Sequence, residues 1–216
     1  MIAANRKHSR IKICGLTDVK EAVETASLGA DAIGLVFFNK SPRNLSLYQA
    51  KEISSALPDD ICTVGVFVNE SYDKIMRIVE YCRLKAVQLH GGESPELVGA
   101  LVKEDLKVIK ALFVKREPFI KEINKYNASA YLIECGQGVL PGGNALSWNW
   151  SEARSVERKQ PLILAGGLTP ANVAEAIAAG KPDAVDVSSG VEASPGRKDL
   201  ARVKSFIAAV RNCKEV

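Results

Sequence analysis

Short apolar runs alternate along this chain with segments whose apolar residues recur at helical spacing. The apolar runs predict eight strands, at residues 10–14, 31–38, 61–68, 85–90, 106–113, 130–135, 162–165 and 184–187. Helices are predicted over residues 18–29, 48–57, 75–82, 94–103, 117–126, from about residue 149, over 173–180 and over 200–210. Apolar strands separated by helices indicate a parallel sheet that helices cover.

Eight strand–helix units in a chain of 216 residues favour closure into a single-domain (β/α)8 barrel, or TIM barrel, over an open doubly wound sheet. Residues 1–9 are polar and basic, and we expect them to form a flexible N-terminal extension. Residues 10–216 would then form the barrel as the catalytic domain, since no shift in composition marks a second domain.

Composition narrows the classes of partner. The chain is 47% hydrophobic and 25% charged, and its net charge of +4 favours an anionic ligand without indicating nucleic acid. The five cysteines are odd in number and irregularly spaced, which argues against a disulfide framework or a zinc site. No signal peptide and no membrane-spanning run is visible. We therefore expect a cytoplasmic protein without a membrane partner; its oligomeric state is unknown.

Two predicted strand ends are rich in small residues. Gly166 and Gly167 follow the seventh strand, and Ser188, Ser189 and Gly190 follow the eighth. Such residues leave backbone N–H groups uncovered, and successive free N–H groups bind anions. In (β/α)8 barrels, phosphate usually lies at these two loops. Either loop alone could be an ordinary tight turn, but the pair predicts a phosphate site.

The end of the first strand carries a candidate base. Side chains alternate along a strand, so Lys12 and Cys14 share a face, and an inward face would place Cys14 at the barrel mouth. A thiolate can abstract a proton, and a nearby cation favours it. Because the first and eighth strands adjoin in a closed barrel, we expect Lys12 and Asp186 to lie close together. Cys14 as a buried hydrophobe, and the pair as a plain polar layer, remain alternatives.

Three further polar residues follow strands. Arg43 lies in the loop after the second strand, where its guanidinium could bind a carboxylate or simply be solvated. His90 ends the fourth strand and should point the same way as Gln88; it could bind substrate, transfer a proton or bond a neighbour. Glu134 ends the sixth strand, where a sheltered carboxyl group can act as a general acid.

Several segments in order resemble the phosphoribosylanthranilate isomerase family. They are KICG at 12–15, GVFVN at 65–69, VQLHG at 87–91, AGGL at 165–168 and VDVSSGVE at 185–192. The resemblance implies an Amadori rearrangement of N-(5′-phosphoribosyl)anthranilate in tryptophan biosynthesis, with no metal or organic cofactor. It implies that Cys14 is the base, that Arg43 binds the anthranilate carboxylate, and that Gly166, Gly167, Ser188, Ser189 and Gly190 bind phosphate.

Two departures from the family pattern coincide. The family has an aspartate as general acid where this chain has Glu134, whose carboxyl group reaches one methylene farther. The family's glycine-rich loop typically leads into Phe-Asp-Trp, whereas residues 146–150 read LSWNW. Both departures bear on the acid step, because a misplacement of about 1 Å can cost a hundredfold in rate.

Two other functions compete. Another phosphosugar isomerase or epimerase on the same fold would not need Arg43, because its substrate carries no aromatic carboxylate. A non-catalytic sensor would bind the phosphorylated compound without turnover. We expect the isomerase, with Cys14 and Glu134 as the catalytic pair and His90 among the substrate-binding residues.

Overall fold

The computed structural model describes residues 9–138 and 146–213, and the predicted extension at 1–9 lies almost wholly outside them. Eight parallel strands close into a barrel in chain order. These are β1 (Arg10–Cys14), β2 (Ala32–Phe37), β3 (Cys62–Phe67), β4 (Ala86–Leu89), β5 (Lys107–Phe113), β6 (Ala130–Glu134), β7 (Leu162–Leu164) and β8 (Ala184–Val187). The predicted (β/α)8 barrel is confirmed.

The strands are apolar on both faces because each face is covered. One set of side chains fills the barrel interior, as Val64, Ile109, Leu132 and Ile163 do. The other set packs outward against the helices in a larger cluster. This two-sided burial accounts for near-continuous apolar runs in place of alternation.

Six α-helices cover the barrel in the described part of the chain. These are α1 (Val19–Ser27), α2 (Leu47–Ala56), α3 (Tyr72–Cys82), α4 (Pro95–Lys103), α5 (Val173–Gly180) and α6 (Leu200–Arg211). Asp18, Ser46 and Ser94 cap the first turns of α1, α2 and α4 by accepting backbone N–H bonds. Among the described residues, no helix is both long enough and apolar enough to cross a bilayer.

The prediction of eight α-helices is wrong at two places. The segments after β5 and β6 form short 3₁₀ helices, Ile120–Lys125 and Trp150–Ser155. Their buried or half-buried residues recur at every third position, as with Trp150, Ala153 and Val156. That period matches the three residues per turn of a 3₁₀ helix.

A small hairpin that the sequence analysis did not predict follows β8. Its strands, β9 (Glu192–Ser194) and β10 (Arg197–Lys198), are antiparallel. Gly196 makes the turn in the left-handed region, with φ +83°, and its carbonyl accepts a 2.6 Å hydrogen bond from the Thr17 hydroxyl. The hairpin is thereby bound to the loop that follows β1, at the rim of the barrel.

Candidate active site

One pocket opens where the barrel strands end, and all nine predicted site residues line it. They are Cys14, Arg43, His90, Glu134, Gly166, Gly167, Ser188, Ser189 and Gly190. Gln88 and Asp186 line it as well. In (β/α)8 barrels this end of the strands is where enzymes place their chemistry.

The predicted Lys12–Asp186 contact is confirmed. The two residues face each other in the β1–β8 register, and Lys12 Nζ lies 2.9 Å from Asp186 Oδ1. Both side chains are nearly fully buried, at 4% and 9% exposure. The pair forms a polar layer beneath the pocket, and its attraction, together with Cys14, outweighs the burial of the ammonium and raises the pKa of Lys12 to about 12.

The Cys14 thiol lies at the mouth of the barrel and is buried. Burial raises the pKa of Cys14 above its ordinary value, and the negative charge of Asp186 raises it further. The ammonium groups of Lys12 and Lys198 oppose this by attracting the thiolate. In the unliganded protein the neutral thiol is therefore favoured, although two cations are in place to support the anion.

Glu134 faces His90 across the pocket. Its Oε2 lies 3.0 Å from His90 Nε2, and His90 Nδ1 lies 2.9 Å from the Gln88 side-chain amide. His90 and Gln88 thus point the same way, as the alternation of β4 predicted. Gly166 makes room for the longer acid, because a Cβ there would lie 3.0 Å from Glu134 Cγ.

The backbone around His90 is held by a buried ion pair that the sequence analysis missed. Lys110 Nζ lies 2.7 Å from Glu93 Oε2 and donates to the Gly91 carbonyl at 2.7 Å. Burial lowers the pKa of Lys110, while Glu93 opposes that effect. Lys110 lies on the same outward face of β5 as Val108 and Leu112. A lysine there would ordinarily reach solvent, so the sequence gives no sign that it is buried.

The two small-residue loops pack closely on each other. Gly166 and Gly167 both have positive φ, at +87° and +69°, which only glycine adopts readily. A Cβ on Gly190 would lie 1.9 Å from the Leu168 carbonyl oxygen, so the loop after β8 touches the loop after β7 through bare backbone. The Ser188 hydroxyl donates to the Cys14 carbonyl at 3.0 Å, which joins the second loop to the end of β1.

Part of the divergent segment supports the first of these loops. The indole N–H of Trp148 donates to the Ala165 carbonyl at 2.8 Å, and Trp148 is buried. A Cβ on Gly167 would lie 2.5 Å from the Ser147 nitrogen, so the segment rests on that glycine. Residues 139–145, which precede this segment, lie outside the described residues.

The guanidinium of Arg43 forms a bidentate ion pair with Glu192. Its Nε and Nη2 donate to the two carboxylate oxygens of Glu192, each at 2.7 Å. Lys198 Nζ donates to the same carboxylate at 2.8 Å and to the Ser188 carbonyl at 3.1 Å. The two cations together hold the pKa of Glu192 below its usual range, against the effect of burial.

Sequence reasoning did not identify Glu192 or Lys198 as parts of the site. Glu192 ends one of the segments that carry the family resemblance, yet its residue type gave it no evident role. The signal in the sequence was that Glu192 comes soon after β8, which ends at the site, and that a second charged residue, Lys198, follows it. The turn at Pro195 and Gly196 brings the two together, and such a turn permits a hairpin without specifying one.

The fold and the pocket together define a (β/α)8-barrel enzyme with acid–base groups at the mouth of its barrel. The family model described as N-(5′-phosphoribosyl)anthranilate (PRA) isomerase matches residues 11–209. The chain is 53% identical over 198 residues to the N-(5′-phosphoribosyl)anthranilate isomerase of Desulfatibacillum aliphaticivorans, covering 92% of this chain and 91% of the relative. It is 46% identical to the one from Geobacter sulfurreducens, covering 92% and 96%.

Solved structures agree. The crystal structure of phosphoribosyl anthranilate isomerase from Thermotoga maritima superposes with a TM-score of 0.85 at 41% identity, covering 94% of this chain and 98% of that one. A second crystal structure, of a phosphoribosyl anthranilate isomerase in complex with reduced 1-(o-carboxyphenylamino)-1-deoxyribulose 5-phosphate, superposes with a TM-score of 0.82 at 41% identity and the same coverage. This chain belongs to the N-(5′-phosphoribosyl)anthranilate isomerase family. It is an isomerase of tryptophan biosynthesis that carries out the Amadori rearrangement of phosphoribosylanthranilate.

Proposed function

We propose that Cys14 and Glu134 are the general base and general acid of this rearrangement, and that the loops after β7 and β8 bind the substrate phosphate. The observation that carries the proposal is that the thiol and the carboxyl group line the same pocket as the two loops. A sugar held there by its phosphate would lie within one pocket with both groups. The ligand is thus a small phosphorylated molecule.

The reaction divides into proton transfers that these two groups can perform. Protonated Glu134 gives its proton to the furanose ring oxygen, the bond from that oxygen to C1 breaks, and the aryl nitrogen and C1 form an iminium ion. Cys14 thiolate then removes the proton from C2, and the electron pair of the C–H bond forms the enolamine. Proton transfer from the C2 hydroxyl and onto C1 gives 1-(2-carboxyphenylamino)-1-deoxyribulose 5-phosphate.

Lys12 supports the base step. Burial favours the neutral thiol, so the thiolate needs a cation close by, and Lys12 attracts it most strongly among the surrounding groups. Asp186 holds the Lys12 ammonium in place at 2.9 Å. Because Asp186 also repels the thiolate, the pair stabilises the thiolate less than Lys12 alone would. The sulfur therefore keeps a higher pKa and is a stronger base once it is ionised.

His90 can face either protonation state of Glu134. With Nε2 protonated, the ring donates to a Glu134 carboxylate and accepts from the Gln88 amide at Nδ1. Gln88 Oε1 has no hydrogen-bond partner among the described residues. Rotating the amide brings Oε1 to an Nδ1–H of His90, and Nε2 then accepts from the protonated acid. The contact suits a group that must give up and regain a proton.

A cytoplasmic location fits the thiol chemistry. No disulfide joins the described cysteines, the proposed base among them, and a reducing compartment keeps such thiols reduced.

The test follows the loss of phosphoribosylanthranilate fluorescence. We expect Cys14→Ser and Glu134→Gln each to lower kcat by roughly 100- to 10,000-fold, the usual contribution of general acid–base groups, while product still binds. Cys213→Ser, a substitution of a half-buried cysteine near the end of α6, is the matched control and should retain full activity. Full activity of Cys14→Ser would remove the proposed base. Full activity of Glu134→Gln would direct the search for the acid to His90 or Asp186.

A further inference from the structure

The Arg43–Glu192 pair changes what Arg43 can offer a substrate. A guanidinium has five N–H groups, and the bidentate bond to Glu192 uses one on Nε and one on Nη2. The two N–H groups of Nη1 and the second of Nη2 remain. The second N–H of Nη2 and one N–H of Nη1 point along the Nη1–Nη2 edge of the planar group, which can bind a second carboxylate with two parallel bonds. Arg43 can therefore hold a protein carboxylate and a ligand carboxylate together.

The position of this guanidinium is closely fixed. Its stem passes directly over Gly15, where a Cβ would lie 2.4 Å from Arg43 Cδ. Gly15 follows Cys14 and has φ +79°, so both its conformation and its missing side chain suit the crossing arginine. Glu192 fixes the far end of the same side chain. An arginine held at both ends loses little side-chain entropy when a ligand arrives.

Glu192 is itself held from the phosphate side. Lys198 is buried and bridges the Glu192 carboxylate and the Ser188 carbonyl. Arg202 donates to the Glu192 backbone carbonyl at 2.6 Å, which fixes the start of the hairpin. One chain of contacts thus runs from the loop proposed to bind phosphate, through Lys198 and Glu192, to the guanidinium of Arg43.

We propose that Glu192 is a positioning residue that holds Arg43 by its Nε–Nη2 edge, so that the remaining edge receives the ring carboxylate of the substrate. This inference rests on the proposed function. It makes Glu192 a determinant of specificity for substrates with a carboxylate on the aromatic ring, although Glu192 has the same charge as that carboxylate. Lys198 sets Glu192 at a fixed place relative to the phosphate loop.

The test compares two non-reacting ligands: the reduced product, and its counterpart that lacks the ring carboxylate. Glu192→Gln keeps the shape but presents an NH2 group to a donor of Arg43 or Lys198. We expect it to weaken binding of the carboxylate ligand by about 10- to 100-fold, the range for lost hydrogen bonds to charged groups, and of the other ligand by about twofold or less. KM for the substrate should rise by a similar factor, with kcat changed by less than about threefold.

Glu192→Asp keeps the charge, and its preference for the carboxylate ligand should lie between those of the wild type and Glu192→Gln. If Glu192→Gln does not fold, the ligand preference of Glu192→Asp alone tests the inference: a reduced preference for the carboxylate ligand supports it, and an unchanged preference contradicts it. Glu175→Gln, on the exposed face of α5, is the control and should match the wild type. Equal weakening of both ligands, or of neither, would overturn the inference alone. A wild-type chain that neither turns over substrate nor binds either ligand would overturn the proposed function as well.

Discussion

Removing one partner of the buried Lys12–Asp186 pair should destabilise the barrel strongly, whereas removing both charges should cost much less than the sum. The two side chains are 4% and 9% exposed and their charged atoms lie 2.9 Å apart. A single substitution, Lys12→Met or Asp186→Asn, leaves an ion in the barrel without its counter-ion. Such losses amount to about 3–5 kcal/mol.

The pKa of Lys12 gives a second magnitude for the same pair. Its rise from 10.5 to about 12 corresponds to about 2 kcal/mol of stability from the charged form. The folded pKa lies above the unfolded one, so this contribution is complete below pH 10.5 and is lost as the pH rises through 12. It is smaller than the cost of a single substitution, because the substitution also leaves a desolvated charge behind.

Urea unfolding followed by circular dichroism measures both effects. The free energy of unfolding is determined for the wild type, the two single variants and Lys12→Met/Asp186→Asn at neutral pH, and the coupling energy is taken from the cycle. In a second series the pH is raised toward 12, where the wild type should lose stability that Lys12→Met never had. Additive losses in the double variant, or single losses below about 1 kcal/mol, would refute the reasoning that the charges depend on each other.

Two further predictions concern the pocket. Because burial raises the pKa of Cys14, iodoacetamide should alkylate this thiol slowly at pH 7 and faster as the pH rises above 9. Lys12→Met removes a cation that attracts the thiolate and should move this pH profile to higher pH. A profile like that of an ordinary exposed thiol would contradict the prediction. Gly190→Ala should lower phosphate-ligand affinity by about tenfold or more, because its Cβ would meet the Leu168 carbonyl oxygen at 1.9 Å. Gly99→Ala is its control: nothing lies within 4 Å there, and alanine inside α4 should raise stability by about 1 kcal/mol. Equal ligand affinity in the two alanine variants would contradict the second prediction.

Regular repetition explains what the sequence predicted well. Strand alternation placed Cys14 at the mouth and Lys12 opposite Asp186, since both follow once β1 and β8 are neighbours. The same rule aligned Gln88 with His90. These residues lie within or at the end of regular parallel strands, where the position of a residue along the strand determines which face its side chain points to.

Short or irregular segments explain what the sequence did not show. The pairing of Arg43 with Glu192 depends on a hairpin of three and two residues, too short for any period to be visible. The two 3₁₀ helices are only six residues long, too short for their apolar residues to distinguish a 3₁₀ from an α-helical period. Lys110 and Glu93 are charged residues whose burial follows only from tertiary packing.

The Ser188 hydroxyl bond to the Cys14 carbonyl spans 174 positions of the chain, as does the ion pair beneath it. The proposed base comes from the first strand to be synthesised, and the residues that complete its surroundings come from the last. A nascent chain thus carries the sulfur of its proposed base through most of translation without the lysine–aspartate pair or the serine that later enclose it. Turnover becomes possible only when the first and final strands meet, so the onset of activity reports the completion of the cylinder.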